Sequence, residues 1–234
     1  MRIYTPEECE QWIGYKEKRG WQTKKYLFEP TNENNKIILS TLVVDVTGKC
    51  FTHNLDIVKQ IIEQLVKNYP LINEIYNDLK IFICPKPEIG FSNAMCWDKE
   101  IVLWGRTTQI PYFMTDYIIA HELGHSIQKH FCSEHRNKEL FRKYLELRNA
   151  PRGMCKIYDH WDEEKEEAVY ITKEDFLFMS GEVEDKELDW DKSPLEWFAE
   201  DFRYLFGVDK GEKYWGLEIE PPDDKVKEFI LSLN

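Results

Sequence analysis

The stretch from Tyr112 to Phe131 constrains this chain more than any other. Its twenty residues contain no proline, and Tyr117-Ile118-Ile119-Ala120 leads without a break into His121-Glu122-Leu123-Gly124-His125. The pattern predicts one long apolar helix with charged chemistry at its middle. On a helix, positions i and i+4 lie about 40° apart and one turn along the axis. The imidazoles of His121 and His125 can therefore point at one ion. Glu122 lies between them on the flank of the same face, beside any water the ion holds. Two imidazoles and a carboxylate on an apolar helix are costly to bury without a compensating ion. Zinc is the expected metal, one ion per chain, with one coordination position left open. Gly124 leaves room for another element to pack closely against the helix.

The chain has 234 residues, an expected single domain, 1–234, of two lobes. Aromatics make up 14% and hydrophobic residues 42%, enough for a packed core and against disorder. A net charge of −12 disfavours nucleic acid and anionic membranes as partners, and no stretch reaches the roughly 18 apolar residues a membrane helix needs. The expected partner is a peptide or protein substrate, and the expected state a monomer. Met1–Glu8 lacks the apolar run of a signal peptide, so a cytoplasmic location is expected, with export without a recognisable leader as the alternative. Cys9, Cys50, Cys84, Cys96, Cys132 and Cys155 form no Cys-x-x-Cys pair and read as reduced thiols. No Gly-rich phosphate loop and no Gly-x-Ser-x-Gly elbow is present.

Along the chain, residues 6–18 read as a first helix capped by Thr5. Residues 21–28 and 37–46 read as strands of a long-looped hairpin across the polar stretch 29–35. Asn54–Lys67 is an amphipathic helix with Leu55, Val58, Ile61, Ile62, Leu65 and Val66 on one face. Residues 79–84 form a buried strand. Residues 94–104 form a strand pair turning at Asp98-Lys99. A charged helix spans 138–148. The acidic 159–192 segment reads as a solvated loop with short helices. Ser193-Pro194 opens a helix through Phe206, stopped by Gly207, and residues 223–233 form the last helix. The order is α+β. Trp97, Trp104, Trp197 and Trp215 read as core or cleft walls.

Two histidines need a third ligand. Four other histidines remain, His53, His130, His135 and His160, and His130 is out of phase. A third histidine six residues past His125 would fall on Phe131. His135 and His160 remain open, but Glu196 is the better candidate. It lies in Pro194-Leu195-Glu196-Trp197-Phe198-Ala199-Glu200-Asp201-Phe202, where two glutamates sit at i and i+4 within an apolar stripe. Buried carboxylates need a cation or donors. In one assignment Glu196 binds the metal and Glu200 accepts the outward N–H of a ligating histidine. The reverse assignment stays open.

His121-Glu122-x-x-His125 followed by Glu196-x-x-x-Glu200 resembles the gluzincin pattern of zinc metallopeptidases. More narrowly, Glu196-Trp197-Phe198-Ala199-Glu200-Asp201-Phe202-Arg203 is similar to a segment of the anthrax-lethal-factor-like catalytic domain. The likeness covers roughly residues 80–232. It implies a zincin-like fold: a small twisted mixed sheet and the His121–His125 helix in an N-terminal lobe (about 1–130), and a mainly helical C-terminal lobe (about 131–234) supplying Glu196. It implies a zinc-dependent metalloendopeptidase with Glu122 as general base. It also implies an edge strand that pairs with an extended substrate, expected at Ile101, Val102, Leu103 and Trp104. The family's oxyanion-stabilising tyrosine is replaced here by Asp189, so that role either falls to Tyr170, Tyr158 or Tyr204 or is missing. The long interval between His125 and Glu196 makes 159–192 an insertion, expected as a lid or substrate-facing loop. Two other readings stand beside the enzyme: a degenerate zincin acting as a zinc-containing binding or regulatory protein, and an intracellular regulatory protease of a phage or mobile element.

Overall fold

The computed structural model describes residues 1–11, 13–18, 21–26, 42–44, 51–85, 94–106, 108–133, 137–177, 193–208 and 219–233. The chain begins with β1 (Arg2–Tyr4), α1 (Pro6–Gln11), β2 (Ile13–Lys18), β3 (Trp21–Tyr26) and β4 (Leu42–Val44). There follow α2 (Leu55–Asn68), a 3₁₀ turn (Pro70–Ile72), α3 (Asn73–Tyr76), β5 (Lys80–Ile83), β6 (Ala94–Trp97) and β7 (Glu100–Leu103). The second half holds α4 (Tyr112–Phe131), α5 (Lys138–Leu147), β8 (Arg152–Asp162), β9 (Glu167–Phe176), α6 (Pro194–Phe206) and α7 (Asp224–Leu231). The architecture is α+β, and no described helix is long and apolar enough to cross a membrane.

The central sheet has the order β1-β5-β7-β6. Its first three strands run parallel and β6 runs antiparallel to β7. Strand alternation sends Ile81, Ile83, Ile101 and Leu103 to one side and Phe82, Val102 and Trp104 to the other. Both sides are covered, which is why β5 and β7 are apolar at nearly every position. On one side α2 and α4 close the main core, which continues through α5, α6 and α7. On the other, Tyr4 stacks on Phe82 with ring centroids 4.5 Å apart, beside Cys9 of α1.

Local signals set several boundaries. The Asn54 side chain accepts from the backbone N–H groups of Asp56 and Ile57 and starts α2, while Val58, Ile61, Ile62 and Leu65 face the core. The turn between β6 and β7 falls at Asp98, which takes a positive φ of 52°. Helix α4 is buried almost all round, against the sheet, α2 and α6. Its long apolar run follows from that enclosure, and its buried polar side chains include Thr115, Asp116, His121, Glu122, Ser126 and Gln128.

Three expectations are corrected. The helix expected over 6–18 stops at Gln11, and Ile13–Lys18 pairs antiparallel with β3 instead. Only residues 19–20 separate the two strands, a hairpin spacing that outweighs the helix start signal. The loop expected from 159 is, through Phe176, half of a long antiparallel ribbon in which β8 pairs with β9. Its β-branched and aromatic residues (Ile157, Val169, Tyr170, Ile171) hold the strands, and its acids gather at the turn, where Glu166 takes a φ of 53°. The remainder of the acidic segment, 178–192, lies outside the described residues. Finally, Ile101, Val102 and Leu103 lie on an interior strand, and Trp104 just beyond it is buried in the smaller cluster. Among the described residues the edge on that side is β6.

The expected pairing of the strands at 21–28 and 37–46 is seen between β3 and β4. The loop 29–35 lies outside the described residues. Cys9, Cys84, Cys96, Cys132 and Cys155 are free thiols.

Candidate metal centre

Two helices build the site. Helix α4 presents His121 and His125 one turn apart, and α6 crosses it at Gly124. A Cβ on Gly124 would lie 2.8 Å from Ala199 Cα and 3.0 Å from Ala199 O. Only a residue without a side chain permits this approach, and the approach brings Glu196 over the two imidazoles. Pro194 at the first position and Ser193 at the N-cap start α6, although the Ser193 side chain makes no capping bond. Trp197, Phe198, Phe202 and Phe206 bury the helix on the core.

The donor atoms form a near-equilateral triangle. His121 Nε2 lies 3.2 Å from His125 Nε2 and 3.1 Å from Glu196 Oε2. His125 Nε2 lies 3.4 Å from the same Glu196 oxygen. Bonds of about 2.0–2.1 Å to a tetrahedral zinc ion require ligand-to-ligand edges of about 3.3–3.4 Å. The residues therefore fit the ion, and three protein donors leave the fourth position open. His121, His125 and Glu196 are the only such group of potential ligands among the described residues.

Glu200, fully buried, turns to the other side of His121. Its Oε1 lies 2.6 Å from His121 Nδ1, so this carboxylate holds the ring nitrogen that faces away from the triangle. Between the two assignments left open by the sequence, the geometry places Glu196 at the imidazole pair and Glu200 behind it. Asp201 faces away from both, taking the Tyr144 hydroxyl at 2.8 Å with Arg148 Nε 3.2 Å away. That is how α6 buries acids inside an aromatic stripe.

The electrostatics follow from this enclosure. Burial pushes the His121 imidazolium down, but hydrogen bonds to Glu196 and Glu200 prevail and raise its pKa to about 10. Burial pushes Glu196 up, and the His121 and His125 bonds overcome it, holding its carboxyl down to about 2. Glu200 is likewise held low against burial, first by His121. Glu122 is raised by burial, against the pull of His121 and His125. It is 8% exposed, with the charges of His121, His125, Glu196 and Lys129 around it.

The other candidates lie elsewhere. His160 is exposed on β8 beside Asp159, and His130 packs edge-on against Phe131. His53 is buried, with Nδ1 3.0 Å from Thr115 Oγ1. His135, Asp189 and Trp215 lie outside the described residues. Tyr170 is 48% exposed on the ribbon, in register with Tyr158. Tyr204 sits one turn beyond Glu200 and is half-buried. Trp104 and Trp197 are buried in the core as expected.

Two residues of the site escaped sequence reading. Tyr117 donates its hydroxyl to Glu200 Oε1 at 2.8 Å. Arg203 grips Glu200 Oε2 through Nε and Nη2, both at 2.9 Å. Their spacing was a usable signal: Tyr117 is four residues before His121, and Arg203 is three after Glu200, so each shares a helix face with its partner.

No family model matches the chain, and no curated protein or solved structure matches it.

Proposed function

We propose that this chain is a zinc-dependent metalloendopeptidase of zincin-like fold that hydrolyses a peptide bond in a peptide or protein substrate. The observation that carries the reading is the triangle of His121 Nε2, His125 Nε2 and Glu196 Oε2, with edges of 3.1 to 3.4 Å, with the buried Glu122 carboxylate next to His121 on the same helix. The gluzincin resemblance of the two motifs agrees with it.

Bound zinc supplies a Lewis acid and lowers the pKa of a neighbouring water from about 15.7 towards about 7. His121 and His125 would hold the ion through their Nε2 atoms, and Glu196 through Oε2. Glu200 accepts the Nδ1–H of His121 and so keeps the Nε2 lone pair directed at the ion. Glu122 takes a proton from water at its carboxylate and returns it to the leaving amine as the C–N bond breaks. Burial raises the Glu122 pKa, against the pull of His121 and His125.

A second reading is a zinc-containing binding protein that does not turn over. It is favoured by one observation: the hydroxyl of Tyr117, one turn before His121 on the same helix, is committed to Glu200. Metal analysis of the purified chain, with a peptide-library digest, separates the readings. About one zinc per chain, lost in His121→Ala and Glu196→Ala, together with cleavage abolished by Glu122→Gln, is expected for the enzyme. Zinc without cleavage would leave the binding protein, and no zinc would overturn both.

A further inference from the structure

We infer that Arg203 and Tyr117 are positioning residues for the metal ligand His121, acting through Glu200. The inference rests on the metal reading above and extends it to two side chains that do not touch the ion's donors directly. A histidine serves as a ligand through Nε2 when its proton sits on Nδ1, and a carboxylate behind Nδ1 favours that tautomer when it is held towards the ring. Glu200 is fully buried, and a buried carboxylate needs donors at both oxygens. Something must hold it oriented without competing for the same geometry.

The surroundings meet that demand. Arg203 closes on Oε2 with a two-pronged contact, Nε and Nη2 each at 2.9 Å, and supplies the formal countercharge. The Tyr117 hydroxyl at 2.8 Å and His121 Nδ1 at 2.6 Å share Oε1. The carboxylate is thereby gripped at both oxygens, by donors from both helices, and its plane is set. A stack reinforces the arrangement: the Arg203 guanidinium lies 4.3 Å over the Tyr117 ring, and that ring is parallel to His121 within 9° at 6.4 Å. Arg203, Tyr117 and His121 thus form layers, with Glu200 bonded to all three. Arg203 itself is 2% exposed, so the guanidinium serves this network rather than solvent.

The test measures metal binding and not turnover. Zinc affinity by chelator competition and the visible spectrum of the cobalt(II)-substituted protein are compared for wild type, Arg203→Met, Arg203→Lys, Tyr117→Phe, Glu200→Gln and the Arg203→Met/Glu200→Gln double variant. Arg203→Met is expected to lose roughly 10–100-fold in zinc affinity and to alter the cobalt bands. Arg203→Lys restores the charge and recovers part of the affinity, and Tyr117→Phe shows a smaller loss in the same direction. The double variant binds no more weakly than Glu200→Gln alone, because Arg203 acts through that carboxylate. Equal affinity and unchanged cobalt bands in Arg203→Met, or losses that add in the double variant, would overturn the inference. If Arg203→Met does not fold, Tyr117→Phe combined with Glu200→Gln supplies the same cycle and the same two outcomes. Failure of wild type to bind zinc would instead remove the metal reading, so the two failures are told apart.

Discussion

Replacing Gly124 by alanine tests how closely the two helices of the metal centre must approach. In an isolated helix the change is favourable, by about 1 kcal/mol. Here the new Cβ would meet Ala199 Cα at 2.8 Å, Ala199 O at 3.0 Å and Phe202 Cβ at 3.1 Å. The first two are backbone atoms and cannot rotate aside. Reaching an ordinary contact of 3.4 Å requires α6 to retreat by about 0.6 Å at the crossing. Overpacking of this kind costs about 1–3 kcal/mol, and α4 and α6 are both anchored in the core, so the helix gain is outweighed. We expect a net loss of up to about 2 kcal/mol, seen as a melting temperature lower by up to about 8 °C for a chain of this size. The same retreat carries Glu196 away from two imidazoles now 3.1 and 3.4 Å from it, and opens the triangle beyond tetrahedral edges. Zinc affinity is expected to fall by roughly tenfold, a difference of about 1.4 kcal/mol. The assays are thermal unfolding of the metal-free protein and chelator competition. A Gly124→Ala protein that melts higher than wild type and binds zinc equally would refute the packing argument.

Glu122→Gln should keep zinc and its affinity within a few fold while peptide cleavage falls by about 10²–10⁴-fold, measured on the best peptide from a library digest. In the metal-free protein His121 has its pKa raised to about 10, so it is protonated at neutral pH and zinc must displace that proton. Calorimetric titrations at pH 7.5 in buffers of different ionisation enthalpy should report about one proton released per zinc, and none released would contradict the His121 environment. Burial lowers the His53 pKa from 6.5 to about 4. The unfolded chain then binds the extra proton first, so stability is full above about pH 6.5 and declines as pH falls towards 4, by up to about 3 kcal/mol. Denaturant unfolding across that range should show the decline flattened in His53→Asn, and parallel curves for the two proteins would rule the histidine out.

The likeliest misreadings of a sequence are non-local, and this chain shows why. Spacing of three or four residues is enough to put side chains on one face of a helix. His121 and His125 could therefore be paired at sight, and Glu196 and Glu200 recognised as two turns of an apolar stripe. The same rule reaches Tyr117 and Arg203, but only once the carboxylate they serve is known to be buried. The early helix was overextended because Thr5-Pro6 marks a start and nothing marks its end, while the pairing of Ile13–Lys18 with β3 depends on a neighbouring strand. The acidic ribbon was hidden because charge density dominated the reading of 159–176, and its alternating β-branched residues carry weight only when paired.

From the residues alone came the mixed α+β order, the long buried helix, the candidate metal-binding pair of histidines on it and the carboxylate candidates on another helix. These rest on local periodicity and on the cost of leaving polar groups unpaired in an apolar setting. Tertiary structure decided which glutamate meets the imidazoles and which stands behind them, since the answer depends on how α6 crosses α4 at Gly124. It also decided that β6, not β7, forms the edge of the sheet on that side among the described residues. Strand order is a property of hydrogen bonds between distant segments, and no spacing along the chain encodes it.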